Sequence, residues 1–117
     1  MEINEVSFEN NLPVTGYGTG FFRIGTSIFE GNRFIYKNKI FDWDGFSNSK
    51  IILRNSSEID VLFVGTGPNI KNIPSEFKKC IEKHGIGIEI MSTPTACRTY
   101  NVLLGEGRRI GAALLAL

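Results

Sequence analysis

Cys97 follows Pro94-Thr95-Ala96 in what reads as the first turn of a helix, with Arg98 next to it. A thiol at that position has its thiolate stabilised by the helix dipole, the setting of a nucleophile or a redox-sensitive cysteine. Such a nucleophile needs a base. The one histidine, His84, falls at the end of a different helical pattern, so an inert, buried thiol is the simpler reading. A second group is Gly65-Thr66-Gly67, which closes an apolar run. Its backbone amides, the exposed donors of the helix that begins near Thr93, and the hydroxyls of Thr66, Thr93 and Thr95 could together hold an anion or a carboxylate. A tight turn and an ordinary helix cap explain the same residues, because a Gly-Thr-Gly triplet is far less specific than a dinucleotide fingerprint. The candidate ligand-binding set is therefore Gly65, Thr66, Gly67, Thr93, Thr95, Cys97 and Arg98. No residue is assigned a catalytic role, and the protein is read as more binding factor than enzyme.

Other groups carry less. Asp42-Trp43-Asp44 offers two carboxylates for a metal or for acid/base work, but a capped turn around a packed indole fits it better. Glu106 with Arg108 or Arg109 reads as surface ion pairing. Cys80 falls in a core stripe and His84 alone makes no metal site, so neither a metal nor a cofactor is expected.

The elements that would position these residues follow from pattern. Up to about Asn55 the chain is rich in aromatic and β-branched residues, with turn signals at Asn10-Asn11, Gly16, Gly18, Gly20, Gly31-Asn32 and Asn38. Strands are predicted at Phe21-Ile24, Ser27-Glu30, Arg33-Tyr36 and Ile40-Asp42, with Glu30-Gly31-Asn32 as a tight turn between two of them. Val61-Val64 is a continuous apolar run, the mark of a strand buried on both faces. Pro74 opens a helix whose stripe Phe77, Cys80, Ile81 and His84 faces the core before Gly85 ends it. Ile86, Ile88 and Ile90 form the next strand. Ser92 or Thr93 caps a second helix that turns Ala96, Tyr100, Leu103 and Leu104 inward and stops near Gly105 and Gly107. Arg109-Leu117 is read as a last buried strand. If the strands at Val61 and Ile86 are parallel, Gly65-Thr66-Gly67 and Met91-Ser92-Thr93-Pro94 emerge at one edge, where open α/β sheets place ligand crevices.

Composition bounds the function. The 117 residues read as one α/β domain, 1–117, able to bury roughly two-thirds of the surface the unfolded chain exposes. Lys plus Arg number 13 against 12 Asp plus Glu, and a net charge of +1 argues against a nucleic-acid partner. Two cysteines, not in a Cys-x-x-Cys pair, point to a reducing compartment. Met1-Glu2-Ile3-Asn4-Glu5 lacks the features of a signal or transit peptide. The longest apolar stretch, Ile110 to Leu117, falls well short of the about 20 residues of a membrane span. A cytoplasmic location is expected.

Gly85-Ile86-Gly87-Ile88-Glu89, Met91, Thr93, Ala96-Cys97-Arg98-Thr99-Tyr100-Asn101-Val102-Leu103 and Glu106-Gly107-Arg108-Arg109, with Val64-Gly65-Thr66-Gly67 and Phe41-Asp42-Trp43, resemble the signature of a small domain family of unknown biochemical function. That family includes the mitochondrial NADH dehydrogenase (complex I) assembly factor 3. The resemblance implies a three-layer α/β fold: a mixed central sheet, helices on one face, and a smaller β layer from the N-terminal half on the other. It also implies a crevice near Gly65-Thr66-Gly67 and the Ala-Cys-Arg-Thr helix. The mitochondrial members carry a targeting extension this chain lacks, which favours a bacterial, cytoplasmic member.

Two functions follow as expectations. The first is a non-catalytic assembly or chaperone-like factor that binds another protein, and it predicts an exposed apolar patch drawn from the aromatic-rich first half. The second is a small-ligand domain or enzyme that holds an anion at Gly65-Gly67 and acts through Cys97 or Arg98, and it predicts a concave pocket at that edge.

Overall fold

The structure, a computed structural model, describes residues 5–7 and 11–117; the turn signal at Asn10 and the leader reading of residues 1–4 lie outside the described residues. Among the described residues nine strands run in chain order: β1 (Glu5–Ser7), β2 (Val14–Gly18), β3 (Phe21–Ile24), β4 (Ser27–Glu30), β5 (Arg33–Tyr36), β6 (Lys39–Asp42), β7 (Val61–Gly65), β8 (Gly87–Met91) and β9 (Ile110–Leu114). Three α-helices and a short 3-10 helix (Ser56–Glu58) accompany them among the described residues: α1 (Lys50–Leu53), α2 (Ser75–Glu82) and α3 (Thr93–Leu104).

The central sheet is mixed, in the order β1-β6-β5-β9-β7-β8. β7 is parallel to both β8 and β9, while β9 is antiparallel to β5. The run read as a doubly buried strand is thus central, with Leu62, Phe63 and Val64 all buried. A second sheet, β2-β3-β4, comes from the N-terminal half. Glu30-Gly31-Asn32 is not a hairpin turn: β4 pairs with β3 and β5 with β6 and β9, so these residues carry the chain from one sheet to the other. The hairpin turn lies earlier, where Ile24 pairs with Ser27 around Gly25 at φ +62°.

Side chains alternate across β7 and feed two apolar clusters. Phe63 joins Ile35, Ile40, Ala112 and Leu114 under α3 (Ala96, Cys97, Tyr100, Leu104) and the small sheet (Val14, Phe22, Ile24). Leu62 and Val64 join Phe34, Tyr36, Phe41, Trp43, Ile52 of α1, and Phe77 and Ile81 of α2. The fold is the expected α/β class with a mixed central sheet and a smaller β layer. Its helices divide between the faces: α3 shares its face with the small sheet, and α1 and α2 cover the other.

α2 begins one residue later than expected, with Pro74 as its N-cap. Phe77 and Ile81 are buried and Cys80 half-buried, but His84 is exposed rather than in the stripe, its Nδ1 3.0 Å from the Cys80 carbonyl oxygen. Ser92 caps α3 by accepting the Thr95 amide, with Pro94 in the first turn.

Candidate functional site

The carboxyl ends of β7, β8 and β9 share one edge because all three strands are parallel. That edge brings Gly65, Thr66, Gly67 and Thr93 together as expected. What they do there is bond to one another. The Gly67 amide donates to Thr93 Oγ1 at 2.8 Å, the Thr93 amide donates to the Gly67 carbonyl at 2.8 Å, and Thr93 Oγ1 donates to the Leu115 carbonyl at 2.8 Å. One fully buried hydroxyl so ties the loop after β7, the start of α3 and the segment after β9.

Thr66 is equally occupied. Its amide donates to the Met91 carbonyl at 2.9 Å, while its hydroxyl donates to the Asn69 carbonyl at 2.7 Å and accepts the Lys71 amide at 3.0 Å. At the helix start, the Thr95 amide goes to Ser92 Oγ and the Ala96 amide to the Ser92 carbonyl. An anion would need these donors, and each already has an acceptor inside the protein. Gly65 explains how the knot closes: a Cβ there would lie 2.8 Å from both Cα and Oγ1 of Thr93. Gly67, at φ +98°, supplies the left-handed turn.

Cys97 is 1% exposed and packs into the cluster beneath α3. Burial pushes its thiol up to about 12, with Arg98 offsetting this only in part. It is a neutral thiol at physiological pH, packed in the core with no surface from which to attack a ligand, as in the simpler of the two readings of the sequence. Arg98 is exposed and points away from Cys97; its guanidinium donates to Thr95 Oγ1 at 3.2 Å and to the Tyr17 hydroxyl at 3.5 Å.

Asp42 pairs with Arg33 at the end of β6, and the buried Trp43 indole donates to the Asn48 carbonyl at 2.9 Å, so the packed indole is as expected while the turn itself lies later, at 45–48. Among the described residues no cluster of three His, Cys, Asp or Glu side chains is placed to hold a metal. Arg109 pairs with Asp60, not with Glu106, through contacts of 3.0 and 3.3 Å. The resulting hydrogen bond raises the arginine further above its already high value.

Asn101 was given no role from sequence beyond its place in the signature segment, yet it joins the layers. Its Nδ2 donates to the Val14 carbonyl and its Oδ1 accepts the Val14 amide, each at 2.8 Å, clamping β2 to α3. Beside it Tyr100 is wholly buried with no partner for its hydroxyl among the described residues, and burial raises that phenol well above its usual range. The expected apolar patch from the aromatic-rich half does not form as a block, since Phe22, Phe34, Tyr36, Phe41 and Trp43 are buried. The large apolar side chains left exposed among the described residues are Tyr17, Ile28, Ile70 and Val102. A cleft of about 470 Å³ lies on the small sheet, lined by Thr15, Arg23, Gly25, Thr26 and Ile28, away from the Gly65–Gly67 edge.

Comparison with known proteins agrees with this architecture. The family described as protein of unknown function (DUF498/DUF598) matches residues 14–115. An uncharacterized protein of Rhodobacter capsulatus is 39% identical over 117 residues, covering all of this chain and 94% of that protein. The NADH dehydrogenase [ubiquinone] 1 alpha subcomplex assembly factor 3 of Rattus norvegicus is 29% identical over 115 residues, covering 92% of this chain; the chain spans only 62% of that protein. A crystal structure described as an outer membrane protein from Bartonella henselae superposes with a TM-score of 0.84 at 32% identity, covering 93% of this chain and 98% of that one. Among the described residues no helix is long and apolar enough to cross a membrane.

Proposed function

This chain belongs to the DUF498/DUF598 family, and from that premise we propose that it is a non-catalytic factor that binds another protein during assembly of a larger complex, in the cytoplasm. The observation that carries this reading is the use to which the chemistry-bearing residues are put. Thr66, Gly67, Thr93 and the α3 amides are bonded to the protein itself, and Cys97 is a neutral thiol in the core. A residue set spent on holding elements together supports presentation of a surface rather than turnover of a substrate. The assembly factors among its relatives support a respiratory-complex client, with the extra two-fifths of their length as a difference in what each can engage.

The test is deletion of the gene in the cells that make the protein, with membrane complexes resolved on native gels. Loss or stalling of a multisubunit complex, restored by the wild-type chain and by Cys97→Ala alike, is the expected result. Restoration by wild type but not by Cys97→Ala, with that variant folded, would return the ligand or enzyme reading. So would stabilisation of the purified protein by millimolar phosphate or acetate that is lost in Thr93→Val.

A further inference from the structure

α2 and α3 present different faces to solvent. The outward residues of α2 include Glu76, Lys78, Lys79, Glu82 and Lys83, the charge mixture of a solvated helix. α3 exposes Arg98 and Val102, with the half-buried Thr95 and Thr99 beside them, and has no acidic residue in its first turn and no basic residue in its last. One cation stands in an otherwise neutral strip about two turns long. Val102, one turn after Arg98, is 64% exposed, and Tyr17 of β2 is 37% exposed with its hydroxyl at the guanidinium. Among the described residues Arg98 bonds to the two neutral hydroxyls of Tyr17 and Thr95 and has no carboxylate partner.

We infer that Tyr17, Arg98 and Val102 form the docking ridge for the partner protein, and that the partner supplies a carboxylate side chain flanked by apolar residues. This rests on the protein-binding function proposed above. Charge complementarity selects the occupant: a guanidinium held by the Tyr17 hydroxyl and Thr95, with the exposed Val102 one turn further along the helix, takes one planar carboxylate, with apolar neighbours to cover Tyr17 and Val102. Tyrosine and arginine are also the residue types that dominate protein–protein binding energy. A small anion is disfavoured because the outer face of a helix is convex, and small-ligand sites are concave. The neighbouring residues reinforce the assignment. Ala96, Cys97 and Tyr100 are buried and Asn101 clamps Val14, which leaves Arg98 and Val102 as the members of the segment turned fully to solvent.

The experiment places p-benzoylphenylalanine at position 102, or at Lys79 on α2 as a control, in the full chain expressed in its own cells. Irradiation is followed by mass spectrometry of the crosslinked site on the partner. The expected result is a crosslink from position 102 to an apolar segment with an Asp or Glu within a few residues, reduced about tenfold or more by Arg98→Glu and much less by Arg98→Lys. Replacing that partner carboxylate by Arg should restore the crosslink to the Arg98→Glu chain. Arg98 makes no buried contact, so thermal unfolding of both variants is expected to match wild type, which separates lost docking from lost folding. Crosslinks from position 79 but not 102, or a position-102 crosslink indifferent to Arg98→Glu, would overturn the ridge while leaving protein binding intact. No specific crosslink from either position, with native complexes undisturbed by gene deletion, would overturn the proposed function itself.

Discussion

Asn101 and Val14, 87 residues apart, share two hydrogen bonds of 2.8 Å that close a ring between the side-chain amide of α3 and the backbone of β2. Both backbone groups of an edge strand are satisfied by one side chain. Asn101→Ala strands them at a partly buried position, and the expected loss is about 2 to 4 kcal/mol in urea unfolding. Asn101→Asp keeps an acceptor for the amide but sets a carboxylate against the Val14 carbonyl, and should fare no better. A loss under about 0.5 kcal/mol for both would show that the clamp contributes little.

Tyr100 gives the opposite sign. Its buried hydroxyl has no partner among the described residues, so Tyr100→Phe is expected to leave stability unchanged or raise it by up to about 2 kcal/mol. Thermal unfolding of the purified variant checks this. A clear drop would mean that the hydroxyl is bonded to an internal water.

At Gly65 the prediction is steric. An added methyl meets the Cα and Oγ1 of Thr93 at 2.8 Å, with Leu114 Cδ2 at 3.2 Å behind. Gly65→Ala should cost about 2 kcal/mol or more by forcing α3 off the end of β7. Gly85→Ala, where nothing lies within 4 Å of the new methyl, should carry only the smaller cost of its positive φ. Equal melting temperatures for the two variants would contradict the close approach.

Alkaline pH should reveal the Cys97 thiol as a stability term. Its value is raised from 9.0 to about 12 in the folded protein. The folded state therefore holds a proton that the unfolded chain releases, and the stabilisation is complete below about pH 9 and lost as pH rises toward 12. The slope is roughly 1 kcal/mol per pH unit for one proton, and Cys97→Ala should flatten it, leaving the part due to Tyr100. In thiol-probe kinetics with Cys80→Ser, Cys97 should stay silent until unfolding; fast labelling of the native protein at pH 8 would refute its burial.

The second half of the chain was legible because its patterns are periodic and local. The apolar run at Val61-Val64, the alternating isoleucines, and Ser92 with Pro94 each specify an element from within a few residues. Ile110–Leu114 is also the strand anticipated there, its small Ala112 and Ala113 packed in the middle of the sheet. The first half was legible for β3 to β6 but not for β2. Gly16 and Gly18 read as punctuation, yet they accommodate a bulged strand on which the Phe21 ring lies over Gly18. α1, at four residues, is too short to show a stripe. His84 was misplaced because periodicity extends past the point where a helix leaves the core. The candidate residues at 65–67 and 93 were found together, but their role was not, since whether an amide is free depends on partners far along the chain. Asn101 stood inside the segment that carries the family resemblance, but its role could not be read there because its partner is 87 positions away.

The order of the central sheet has a consequence for biosynthesis. β9 lies between β5 and β7, so the half-sheet β1-β6-β5 is hydrogen-bonded to the half-sheet β7-β8 only through the last of the described strands to be translated. A ribosome that has made everything up to Gly107 holds two fragments with facing unpaired edges and the Tyr100 side of α3 uncovered. The sheet can close only once Ile110–Leu114 has left the exit tunnel, and until then its facing edges are exposed to strand-pairing errors.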